Sequence, residues 1–197
     1  MMKLYGSSNS GNCLKVKWVA ERLGAPFTWI EINTFTGQTR TPEFLNLNPA
    51  GQVPAIVLDD GRVLAQSNAI MLFLAAGSDL IPADAFARAK MFEWLFWEQY
   101  SHEPTIAVRI ARLFYLGMKE EELDPALKTK GEVALARMDA ALAGRNWLVG
   151  ETISLADIAL VAYTRNAPKG GFALTPYPAL RAWIARVEGA LGLEKTA

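Results

Sequence analysis

Three short stretches carry residue types that can do chemistry. The first is Ser10-Gly11-Asn12-Cys13. It has the spacing of a C-x-x-C redox motif, with a serine where the attacking cysteine would stand. The stretch leaves a strand-like run, Lys3 to Gly6, and opens a helix. A helix start presents free backbone N–H groups and the positive end of the helix dipole, which favour an anion, a thiolate included. Ser10 adds a hydroxyl donor at that place. The plain alternative is that Ser10 only caps the helix and Cys13 packs inside it. The second stretch, "GQVPAI", puts Pro54 into a strand-type run. Proline donates no ladder hydrogen bond, so it belongs at a strand start or edge, and residue types alone favour an ordinary trans Val53–Pro54 bond. The third, "AQSNAI", opens a helix at Ser67, where a hydroxyl and backbone N–H groups can hold a carboxylate. Gln66 supplies an amide beside it, and a plain N-cap is again the alternative.

The elements that must position these groups follow from pattern. Leu14, Val16, Val19, Ala20 and Leu23 recur at helical spacing, so residues 11–23 read as a helix with Gly24 beyond its end. "FTWIEI" is aromatic and β-branched and reads as a strand. "TPEFLNLN" reads as a short helix, with Thr41 as N-cap and Pro42 at the first helical position. "VPAIVLDDGRVLA" reads as a hairpin around Asp60-Gly61. "SNAIMLFLAA" reads as a helix followed by Gly77. The order β-α-β-α-β-β-α requires a parallel crossover and then an antiparallel hairpin, hence a mixed four-stranded sheet.

After a Gly- and Pro-bearing connection only helical patterns remain. In residues 86–117 Phe92, Leu95, Phe96, Ile106, Ile110 and Leu113 are expected on one face, with Pro104 dividing the segment. Trp94, Glu98, Ser101 and Thr105 fall on another face, continued by Arg109 and Arg112, with His102 at its margin. Further helices are expected over 124–143, 154–166 and 178–190. Ser154 and Asp157 form an S-x-x-D capping box, and Ile153 with Ile158 suits a hydrophobic staple, which makes Asp157 structural. The expected domains are 1–76, a linker over 77–85, and an all-helical domain over 86–197.

Composition narrows the classes of function. The 197 residues can bury a sizeable core. Twenty basic and twenty acidic residues balance, which gives no electrostatic reason to expect nucleic acid or an anionic membrane surface. No apolar run reaches the roughly 18 residues of a membrane span, and the N-terminus lacks the apolar core of a secretory signal. One cysteine allows no internal disulfide and fits a cytoplasmic location. With a single His as well, a zinc site of protein ligands is not expected, nor any other metal.

The order strand, "SGNC", helix, then "NPAGQVPAIVLDDGRVLAQSNAI", then a helical domain resembles the cytosolic glutathione transferase superfamily over the whole chain. The resemblance implies a thioredoxin-like first domain and a cis bond before Pro54. It implies glutathione as co-substrate, with no metal. The backbone of Val53 would pair with the cysteinyl part of glutathione like an added strand. Ser67 would take the γ-glutamyl carboxylate, and Gln66, where many members have Glu, the amino group. Gln52 and Arg40 stand at family-like positions for the glycyl carboxylate. Ser10 resembles the serine of theta- and zeta-like classes, whose hydroxyl donates to the glutathione sulfur and lowers its pKa. Asn12 would assist, and Ser7 and Ser8 are further hydroxyls on the same loop. Trp94, Trp97 and His102 would border a pocket for an apolar electrophile. A homodimer is also implied. The leading expectation is therefore attack of the glutathione thiolate on an electrophilic small molecule. Glutathione-dependent disulfide reduction or peroxidase chemistry is a second reading, and a non-catalytic binding or interaction module a third.

Overall fold

The computed structural model describes residues 1–196. Contacts divide the chain into a unit ending at Ile81 and a unit starting at Pro82. In the first unit, β1 (Met2–Gly6), α1 (Gly11–Arg22), β2 (Phe27–Glu31), α2 (Pro42–Leu47), β3 (Ala55–Val57), β4 (Val63–Ala65) and α3 (Ser67–Leu74) follow one another. The sheet order is β2-β1-β3-β4. β1 and β2 are parallel, with Gly6 opposite Glu31, and β3 is antiparallel to both β1 and β4. This is the mixed sheet that the sequence order requires. Leu4 and Ile56 from the sheet, Val16 and Val19 from α1, and Ile70 and Met71 from α3 are fully buried. Each such side chain contributes about 1.5–3 kcal/mol by leaving water.

The second unit contains α4 (Ala85–Trp97), α5 (Glu103–Ile110), α6 (Pro125–Leu142), α7 (Leu155–Thr164) and α8 (Pro178–Ala190). α7 is the central helix, buried from Leu155 through Ala162 on every side. A helix apolar all round belongs in the middle of such a bundle. Its start is fixed by Asp157, whose carboxylate accepts from the backbone N–H and hydroxyl of Ser154, from Leu148 N–H and from Trp183 Nε1 at 2.8–3.0 Å.

One sequence expectation fails here. Glu98–His102 is a π turn, in which Glu103 N–H bonds the carbonyl of Glu98, and Ala111–Tyr115 is another. The first lies directly before Pro104, whose ring would crowd the carbonyl four residues back in an α-helix. Widening the turn relieves that crowding and shifts the helix phase. Phe96, expected on the apolar face, is 72% exposed, while Trp94, Glu98, Thr105 and Arg109 are buried. The second face, set apart from the apolar stripe in the sequence, is therefore largely interior.

Candidate functional site

The first loop is a turn. Ser10 N–H donates to Ser7 carbonyl at 3.0 Å, with Ser8 and Asn9 between them. Ser10 then precedes α1 with extended backbone, and its carbonyl accepts from Cys13 and Leu14 N–H at 3.0 and 2.9 Å. Its side chain makes no capping bond. The plain cap reading is thus not what the geometry gives. The Ser10 hydroxyl is directed at the Cys13 thiol instead. Cys13 is fully buried. Burial pushes its thiol up to about 11, against smaller opposing effects of bonds to Ser10 and Ser7. A thiol held protonated and enclosed is no nucleophile at neutral pH.

The second stretch has the cis Val53–Pro54 bond. The β1–β3 ladder ends at the Tyr5–Ala55 pair, so Val53 lies beyond it with its backbone outside the sheet ladder. Asn48, buried in front of Pro49, holds the approach to this point. Its Nδ2 donates to Gln52 carbonyl at 2.7 Å and its Oδ1 accepts from Ala50 N–H at 3.3 Å. Sequence reasoning missed Asn48, although an Asn-Pro step is a turn signal that could have found it. Gln52 and Arg40 are exposed. The Arg40 guanidinium lies against Gly51, where a Cβ would come within 2.4 Å of Nη1 and φ is +61°. The guanidinium could swing away from a Cβ, so it is the positive φ that favours glycine here.

The third stretch corrects another expectation. Ser67 is the first residue within α3 rather than its N-cap. Gln66 occupies the cap with φ 70°, a conformation uncommon outside glycine, and its side chain is exposed. The buried Ser67 hydroxyl donates to Asn12 Oδ1 at 3.2 Å. That bond joins the first turn of α1 to the first residue of α3, which pack on each other. Two helix N-termini, both positive ends, therefore meet. Asn12 and Ser67 come together in this way from positions 55 apart in the chain, with Ser10 two residues before Asn12.

Trp94, Trp97 and His102, expected at a pocket border, all belong to the helical unit. Trp94 is buried and Trp97 half-buried, edge to face at 5.2 Å, with the Arg137 guanidinium over both rings. His102 is fully buried, its Nε2 2.8 Å from Thr164 Oγ1. Thr164 donates its own proton to Leu160 carbonyl at 2.7 Å, so its oxygen accepts from His102 Nε2–H. His102 thus ties the first π turn to α7, and neither it nor Trp94 offers a ligand appreciable surface. Among the described residues no group of three or more His, Cys, Asp or Glu could hold a metal ion, and no helix is long and apolar enough to cross a membrane.

Comparison with known proteins supplies a frame for this geometry. Residues 9–76 match the model of the glutathione S-transferase N-terminal domain, and residues 100–190 that of the C-terminal domain. Glutathione S-transferase 3 of Zea mays is 32% identical, the match covering 99% of this chain and 92% of the maize protein. The crystal structure of a glutathione S-transferase from Xanthobacter autotrophicus superposes with a TM-score of 0.93 at 42% identity, covering 100% of this chain and 97% of that one. One from Pseudomonas fluorescens gives 0.92 at 44% identity, covering 95% and 94%.

Proposed function

The chain belongs to the glutathione S-transferase family, and we propose that it activates glutathione through a serine rather than a tyrosine or a cysteine. The enzyme is glutathione transferase-like: it readies the thiol of bound glutathione for attack on an electrophilic small molecule. Residues 1–76 form the glutathione-binding domain in this reading, and residues 86–197 the helical domain.

Glutathione is an extended tripeptide with two carboxylates and a thiol, so its site needs donors at both ends and an edge in the middle. The γ-glutamyl carboxylate meets Ser67 and the first amides of α3, with Gln66 accepting from the amino group and Asn12 alongside. The cysteinyl backbone pairs with Val53 beyond the end of the β1–β3 ladder, next to Pro54. Arg40 and Gln52 reach the glycyl carboxylate. The sulfur then lies near the start of α1, where Ser10 donates a hydrogen bond to the thiolate. Charge-assisted bonds are about twice as strong as neutral ones, which is enough to favour the ionised form by about one pKa unit. The carboxylate ends fix the orientation of the sulfur, and this orientation supplies much of the acceleration.

The observation that carries this reading is the bond between Ser67 and Asn12, which brings the starts of α1 and α3 together while the Ser10 hydroxyl caps neither. The buried, protonated Cys13 speaks against a reductase acting through the protein's own thiol. The family also supports a cytoplasmic homodimer. Calorimetric titration with reduced glutathione tests the binding half of the proposal. Saturable binding that weakens in Ser67→Ala supports it, and heat indistinguishable from dilution in the wild type refutes it.

A further inference from the structure

Glu31 is an acid that the reaction as described does not use. It ends β2, an edge strand, opposite Gly6, where β1 gives way to the first loop. Ile32 N–H donates to Gly6 carbonyl at 2.7 Å and fixes this junction. The Glu31 carboxylate accepts from both donors of Ser8: the backbone N–H at 2.9 Å and the hydroxyl at 2.7 Å. Trp29 Nε1 donates to the same carboxylate at 2.7 Å. The Trp29 ring packs where Gly6 leaves room, since a Cβ on Gly6 would come within 2.4 Å of it.

Isolated pairs on a surface hold little, because both side chains are free to swing away. Glu31 differs in that three donors converge on it, one of them a main-chain N–H. Glu31 is exposed, and the slight desolvation that its partners impose pushes its pKa up, but the bonds from Ser8 and Trp29 outweigh this and hold it below the usual carboxylate range. Ser8 is the second residue of the turn that Ser10 N–H closes onto Ser7. A carboxylate gripping both the main chain and the side chain of Ser8 therefore sets the pitch of that turn. Ser10 follows two residues later.

We propose that Glu31 is a positioning residue for the transferase reaction, aiming the Ser10 hydroxyl by clamping Ser8 without touching glutathione. The inference rests on the reading of Ser10 as the thiolate's donor. It makes a prediction opposite in sign to that of Glu31 as a mere surface charge. The negative carboxylate raises the pKa of the nearby Cys13 thiol, and it would act in the same direction on any other thiol at the loop. Removing a charge alone lowers the pKa of bound glutathione; loosening the turn raises it.

The test compares wild type, Glu31→Ala, Glu31→Gln, Ser8→Ala and Ser10→Ala. The readouts are glutathione affinity by calorimetry, bound-thiol pKa by ultraviolet titration, and kcat against KM with a chlorinated nitrobenzene. Glu31→Ala is expected to raise the bound-thiol pKa by about one unit and lower kcat about tenfold, with KM for glutathione within about twofold. Glu31→Gln keeps an acceptor and recovers part of the loss; Ser8→Ala loses one of the two clamping bonds and shows the same trend, about half as large. Should Glu31→Ala not fold, the Gln and Ser8 variants decide the sign of the pKa change in its place. A pKa that stays or falls in the Glu31 variants, while Ser10→Ala raises it, overturns the role of Glu31 alone. A wild type that binds no glutathione, or a Ser10→Ala variant with an unchanged pKa, overturns the Ser10 reading and this inference with it.

Discussion

Two serines stand just ahead of helices in this chain, and each turns its hydroxyl to the side chain three residues on, a carboxylate for Ser154 and a thiol for Ser10. Ser154, before α7, donates to Asp157 Oδ2 at 3.0 Å, and its N–H donates to the same oxygen at 2.9 Å. Ser10, before α1, makes no capping bond. Other helix starts are closed off as that of α7 is. Thr41 accepts from Phe44 N–H, Asp84 from Ala87 N–H, and Asp124 from Ala126 N–H. At α8 the acceptor comes from a neighbouring helix, Asp139 taking Leu180 N–H. At α1 and α3 the side chain of the cap residue leaves the first amides alone, and these two starts meet through Asn12 and Ser67. A cap side chain that bonds the first amides satisfies them within the helix; one that does not leaves its own polar group for another partner. The type of the residue at the cap does not reveal which case holds.

The contrast can be broken most forcefully at Asp157. Asp157→Ala strands the donors of Trp183, Leu148 and Ser154 in the interior and should cost about 3 kcal/mol or more of stability in urea unfolding, leaving turnover of the folded fraction intact. A loss of turnover without loss of stability would assign the buried acid a chemical role. At Cys13 the expectation is a silent thiol. Raised from 9.0 to about 11, it should react with iodoacetamide at pH 8 about a hundredfold more slowly in the native protein than after unfolding. The sign of the linked effect follows. From about pH 9 to 11 the folded state keeps a proton that the unfolded chain releases, so stability falls as pH rises through that window. Fast native alkylation at pH 8 would return Cys13 to the chemistry. For Ser67→Ala the expected effect is about tenfold weaker glutathione binding with little change in unfolding midpoint, the loss of one charge-assisted hydrogen bond. Ser154→Ala should do the reverse: about 1 kcal/mol of stability lost, and glutathione affinity unchanged by calorimetry.

Much of the fold was legible because it follows from periodicity and punctuation. The β-α-β-α-β-β-α order, the Thr41 cap with Pro42 and the Ser154/Asp157 box are all local features of the chain. The failures arose where geometry depends on distant neighbours. Nothing near Ser67 says that it lies one residue inside α3, since that depends on Gln66 adopting φ 70°. Helical periodicity placed Phe96 on the apolar face, yet it is 72% exposed, and nothing in the pattern announces the two π turns that interrupt the segment. His102 was named from the resemblance, and its bond to Thr164, 62 residues later, could not be read from the helix that carries it. Within the candidate site, Ser10 and the Gln66-Ser67 pair could be named from motif order. Asn48 had only the local Asn-Pro turn signal, and Glu31 had none, because Ser8 meets it only once the sheet and its loop exist.

The central claim is that the Ser10 hydroxyl, which caps no amide of α1 and lies against the Cys13 thiol, serves the sulfur of glutathione when that binds. Ultraviolet titration of the thiolate in the glutathione complexes of wild type and Ser10→Ala tests it most directly. A bound-thiol pKa below that of free glutathione in the wild type, rising by about one unit in the variant at similar affinity, is the predicted result. Identical titration curves for the two proteins would contradict it.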